Sequence, residues 1–163
     1  MVERRIVVDT LRLNYQGLLD VNEFYRVMDK WFREKGFDKF EKRNFEQVLK
    51  EGRQIEIEIE PWKKVNDYAK EVMKIVFLFT NIKDVVVMKD NHRVNMQQGK
   101  VAITFNGYLE TDWEGKPIIF FMRAVFDQYI YKINTDKFYS LVAEDTMHLY
   151  NMLKAYLNMQ RYY

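Results

Sequence analysis

Residues 55–60 read Ile-Glu-Ile-Glu-Ile-Glu, a strict alternation of branched apolar and acidic side chains. Successive side chains of an extended strand point to opposite faces, so a strand sorts this stretch into one apolar and one wet face. A helix would mix the two classes around its circumference. The chain therefore needs a sheet buried on one side, and other elements must cover that side. Pro61 follows at once; lacking an N–H, it ends the strand or marks an edge or bulge.

The same period of two recurs. Residues Glu3 to Asn14 alternate around Val2, Ile6, Val8, Leu11 and Leu13; Phe37–Lys50 and Arg53–Glu60 flank Glu51-Gly52 as a hairpin. Further strands are expected at 68–80, 85–88, 93–96 and 100–113. The last runs through Val101, Ile103, Phe105, Gly107 and Leu109 to a turn at Glu114-Gly115-Lys116-Pro117.

Three stretches change to helical spacing. Val21, Phe24, Tyr25, Met28, Trp31 and Phe32 form one stripe, with Asp20 as N-cap, Glu23 completing a capping box and Gly36 as the left-handed C-terminal residue. Ile118, Phe121, Met122, Val125, Phe126, Tyr129, Ile130 and Ile133 form a second stripe. Asn134-Thr135-Asp136 offers caps for a third, through Phe138, Leu141, Val142, Leu149, Met152 and Tyr156. The chain is thus expected to end in two helices, or a single kinked one. The expected fold is α+β: a curved antiparallel sheet packed on an N-terminal helix and long C-terminal helices, in a single domain spanning 1–163. No repeat, linker or low-complexity tract divides the 163 residues.

Composition removes several classes of function. The absence of cysteine excludes disulfides, thiolate catalysis and cysteine-ligated metal centres. Basic and acidic residues number 26 and 24 and are interspersed, so the basic stripe of a nucleic-acid binder is missing and nucleic acid is not an expected partner. The most apolar window, 72–88, is broken by Lys74, Asn81, Lys83 and Asp84, so no transmembrane segment is expected. Met1-Val2-Glu3-Arg4-Arg5 opens an alternating stretch rather than an apolar signal-type run, from which a cytoplasmic protein is expected.

Polar constellations are sparse. Glu144, Asp145 and His148 sit at helical spacing and could share a face, like half of a di-metal site. Such a centre needs a second copy of the motif, which is missing, so neither metal nor other cofactor is expected and His148 reads as a surface histidine. The Glu56, Glu58 and Glu60 row reads as a solvated sheet face, as does the Glu110 and Asp112 row. The lone serine, Ser140, lies outside any nucleophile elbow, and the six glycines form no phosphate cradle. Catalytic residues are not assigned. An enzyme is the less favoured class and would have to rely on single polar residues such as Asn106, Tyr108 or Gln128.

The order strand, helix, run of antiparallel strands, long C-terminal helix resembles the helix-grip superfamily. That group includes lipid-transfer domains of the steroidogenic-regulatory type, birch-pollen-allergen-like proteins and polyketide cyclases. The chain departs from the pattern where the last strand should be, since 118–133 has helical spacing. The stretches GKVAITFNGYLETDWEGKP at 99–117 and DQYIYKINTDKFYSLVAEDTMHLYNMLKAYLN at 127–158 are also similar to small archaeal proteins of no assigned function.

The superfamily resemblance implies a small apolar or lipid-like ligand held between sheet and C-terminal helix. The candidate lining is Ile57, Phe77, Phe79, Val101, Ile103, Phe105 and Leu109 from the sheet, and Phe121, Met122, Leu149 and Met152 from the helices. The alternative is a solid-cored module without a ligand that docks a protein partner, a ribonucleoprotein assembly or, at its simplest, a second copy. Trp31, Phe120 and Tyr131 are then the aromatics left for its surface.

Overall fold

The computed structural model describes residues 3–67, 69–111 and 131–161, and of 131–135 the backbone alone. Its elements are β1 (Glu3–Leu19), α1 (Val21–Lys35), β2 (Glu41–Leu49), β3 (Gly52–Ile59), β4 (Trp62–Lys64), β5 (Ala69–Lys89), β6 (His92–Thr111) and α2 (Tyr131–Gln160). The strands form one antiparallel sheet in the order β1-β6-β5-β3-β2. β4 continues along β5 where β3 stops before Pro61. Among the described residues the sheet is open, with β1 and β2 as its edges. The fold is α+β, as expected.

Alternation dictates which face is buried. Leu13, Tyr15, Ile57, Ile59, Ile75, Phe77, Phe79, Val101, Ile103 and Phe105 point to one side and join a single core with α1 and α2. α1 contributes Phe24, Met28, Trp31 and Phe32, the stripe its spacing predicts. Asp20 accepts from the Glu23 N–H at 3.0 Å and Gly36 takes φ 77°, so both ends are closed as expected. From α2 come Leu149, Leu153, Tyr156 and Leu157. No described helix is long and apolar enough to cross a membrane.

Four expectations on the elements are corrected. The strands expected at 68–80, 85–88, 93–96 and 100–113 are two long ones, β5 and β6. Asn81 (φ 56°) lies in a bulge between Thr80 and Lys83 that bends the pair without ending it. The turn between β5 and β6 is Asp90-Asn91, both left-handed, as a two-residue hairpin prefers. The β2–β3 loop is Lys50-Glu51 rather than Glu51-Gly52, because Leu49 pairs with Gly52. Gly52 is needed for proximity: at φ 137°, a Cβ would stand 2.8 Å from the Asn81 carbonyl carbon.

β2 begins at Glu41, four residues later than expected, and Asp38 makes only an isolated bridge to Trp62. Finally, α2 runs unbroken through 134–136, so those residues are not the cap of a second helix, and one C-terminal helix is described instead of several. Cap-forming residues inside a helix are disfavoured by well under about 1 kcal/mol each, less than a continuing helix recovers from packing. The expected turn at 114–117 lies outside the described residues, as does most of the expected helix at 118–133.

Candidate functional site

The structure brings most of the proposed ligand-lining residues together. Ile57, Phe77, Phe79, Val101, Ile103, Phe105 and Leu149 share the main core, and Met152 packs against it half-buried. Leu109 belongs to a smaller cluster with Ala69 and Val142. Phe121 and Met122 lie outside the described residues. Phe24 of α1 stands edge-on to Phe77 and Phe79, with ring centres 5.8 and 6.0 Å away, and is tilted against Tyr156. The inner face of these strands is thus packed by an aromatic cluster from both helices. Next to it the Tyr25 hydroxyl is buried without a hydrogen-bond partner among the described residues. Burial pushes its pKa up, and Glu41 and Asp29 add to the shift.

A buried charged cluster closes one end of the same interface. Glu71 of β5 is wholly buried, and Lys63 of β4 places Nζ 3.7 Å from its Oε2. Lys63 donates to Oδ2 of Asp145 on α2 at 2.8 Å and lies over the Phe37 ring. Neither carboxyl oxygen of Glu71 has a hydrogen-bond partner among the described residues. Burial pushes the Glu71 carboxyl up to about 8, Asp145 adds to the rise, and Lys63 opposes it. The rise favours the protonated form of Glu71 near neutral pH.

Parity could have revealed this cluster. Glu71 occupies the same alternate positions as Met73, Ile75, Phe77 and Phe79, and Asp145 falls on the stripe of Val142, Leu149 and Met152. Spacing alone allows Asp145 and His148 to share a face. Instead Asp145 binds Lys63, while Nδ1 of exposed His148 accepts from the Trp31 indole at 2.9 Å. Among the described residues, no three His, Asp or Glu side chains are placed to hold a metal ion.

The acidic rows are not simply solvated. Glu56 pairs with Arg43 at 3.3 Å and Glu58 with Lys74 at 3.4 Å. Glu60 and Glu110 are buried around Arg4, which donates to both, while Lys42 pairs with Glu60 and Lys70 with Glu110. Burial works to raise the Glu60 carboxyl, but hydrogen bonds from Lys42 and Arg4 outweigh it and hold the carboxyl below its ordinary value. Row spacing missed this because the basic partners come from other strands, β1, β2 and β5. Of the other single polar residues considered, Asn106 accepts from the Thr10 N–H at 2.8 Å, and Tyr108 lies under the Arg4 guanidinium. Gln128 lies outside the described residues.

The most exposed element is β2, every residue of which is open to solvent. Phe45 and Leu49 share one side of it and Val48, 76% exposed, the other. Phe40, just before it, is also exposed. Leu49 and Gly52 flank a two-residue loop, so residues 49, 47, 45 and 43 exchange backbone hydrogen bonds with β3. Asn44, Glu46 and Val48 consequently turn their N–H and C=O groups to the open side, where no described strand covers them. Of the aromatics expected at the surface, Trp31 is instead buried, stacked on Phe37. Phe120 and the Tyr131 side chain lie outside the described residues.

No protein-family model matches the chain, and no curated protein matches it in sequence.

Proposed function

We propose that the protein is a non-enzymatic interaction module that docks a protein partner by strand addition along β2. The observation that carries this is an edge strand exposed over its whole length, offering apolar side chains and backbone groups that no other described strand pairs on its outer side. Natural edges are usually blunted by bulges, proline or covering loops, and an uncovered apolar edge is a template for another strand. β2 has one bulge, between Glu41 and Arg43, and beyond it pairs regularly to Leu49. A photo-crosslinker at Gln47 tests the reading. Adducts with one defined protein, abolished by Val48→Asp, are expected; no adduct in the native cell overturns it.

Holding an apolar ligand is a second function with its own support. The run of α2 against β1 and β6 supports the ligand reading that the helix-grip resemblance implies. The aromatic packing of Phe24 against Phe77 and Phe79 makes it the weaker of the two. Native mass spectrometry tests it: a bound small molecule on the monomer supports it, and a bare chain counts against it.

A further inference from the structure

We infer that the partner of β2 is a second copy of this chain, paired antiparallel across a two-fold axis at Gln47; this rests on β2 being the docking edge. An antiparallel self-pairing sets residues i and j opposite when they are equally far from the axis on either side, so each register predicts its own contacts. With the axis at Gln47, Phe45 faces the partner's Leu49, twice by symmetry, and Arg43, which pairs with Glu56 of its own chain, lies beside the partner's turn residue Glu51.

On the other side of the strand, Glu46 faces the partner's Val48, and Asn44 lies beside the partner's turn residue Lys50. An axis at Glu46 would instead bring Glu46 against Glu46, Lys42 against Lys50, and Glu41 against Glu51. Glu46 and Lys42 already pair with Arg53 and Glu60 of their own chain, but this register also sets Phe45 against Gln47 and Leu49 against Arg43, so the apolar contact is lost and the register is disfavoured.

Strand geometry suits the favoured register. Residues 43, 45, 47 and 49 spend their backbone groups on β3, so in the new pair they sit at the non-hydrogen-bonded positions, where opposed side chains come closest. Asn44, Glu46 and Val48 supply the open N–H and C=O groups. Glu51 lies in the turn beyond Leu49, where the partner's Arg43, which pairs with Glu56 of its own chain, meets it past the strand end. Phe45 and Leu49, both more than 40% exposed in the single chain, are covered together.

Light scattering of the full chain across a dilution series tests the inference. The expected mass at high concentration is twice the 20.0 kDa of one chain. Arg43→Glu and Glu51→Arg should each weaken the dimer by about tenfold, and the double swap should restore it, because only the swap re-forms the opposed pair. Phe45→Lys should give a monomer with unchanged circular dichroism, since its side chain is already exposed.

A dimer indifferent to all these variants overturns the inference. So does a strict monomer. A monomer whose Gln47 crosslinker still captures a different protein overturns only the second copy and leaves β2 a docking edge, whereas a monomer without adducts overturns both.

Discussion

Lys63 donates a 2.8 Å hydrogen bond to Asp145, tying the short strand β4 to the middle of α2. The Asp145 side chain is 10% exposed and that of Lys63 21% exposed, so water screens the pair only in part. Lys63→Met should leave Asp145 without its cation and lower stability by about 2–3 kcal/mol, less than for a fully buried pair. Urea unfolding of the two proteins at pH 7 checks this; a change under about 0.5 kcal/mol would show that the bridge is dispensable.

Glu71 makes stability fall as pH rises. Its folded pKa, about 8, lies above its ordinary 4.5, so between these values the folded chain holds a proton that the unfolded chain has released. The stabilising contribution is complete below about 4.5, falls through the interval at up to about 1.4 kcal/mol per pH unit, and is gone above about 8. Glu71→Gln keeps the shape of the neutral acid and removes the titration. The variant should gain on the wild type steadily from pH 5 to pH 8; parallel stability curves would refute the assignment.

Trp31 is buried, and exposed His148 is the acceptor for its indole N–H. His148→Ala should therefore act mainly by orphaning that donor, at about 1–2 kcal/mol, while His148→Gln keeps an acceptor and loses less. Thermal unfolding ranks the three proteins, and equal losses for Ala and Gln would mean that packing of the ring matters instead.

Gly107 lets α2 approach the sheet. A Cβ there would meet Thr146 Oγ1 at 2.8 Å and Val142 Cγ1 at 3.1 Å, and Thr146 is itself held by a 2.7 Å bond to the Val142 carbonyl. Gly107→Ala should cost about 1–3 kcal/mol through overpacking. If Thr146→Ala introduced alongside restores most of that loss, the clash is located; no rescue would place the cost elsewhere.

Tyr25→Phe should do the opposite. Its buried hydroxyl has no partner among the described residues, so removing it should leave stability unchanged or raise it by about 1 kcal/mol. A clear loss in denaturant unfolding would reveal a partner for the hydroxyl.

Local order was legible wherever a single element contained its own reason. Alternation at 55–60 identified β3 and its buried face, and Asp20 and Gly36 marked both ends of α1, because caps and periodicity act within a few residues. Local polarity misled at Asn81 and at 134–136, where strand and helix run on. At Asn81, pairing with β6 on both sides of the bulge supplied what the local preference withheld, and along 134–136 the helix's own backbone ladder carried on.

The sequence by itself determined the α+β class, the amphipathic first helix and the apolar face of the sheet. Only the tertiary structure decided that Lys63 meets Glu71 and Asp145, that His148 serves Trp31, and that β2 is left as an open edge. Those contacts join residues tens of positions apart, and strand order and register choose among partners that sequence spacing treats alike.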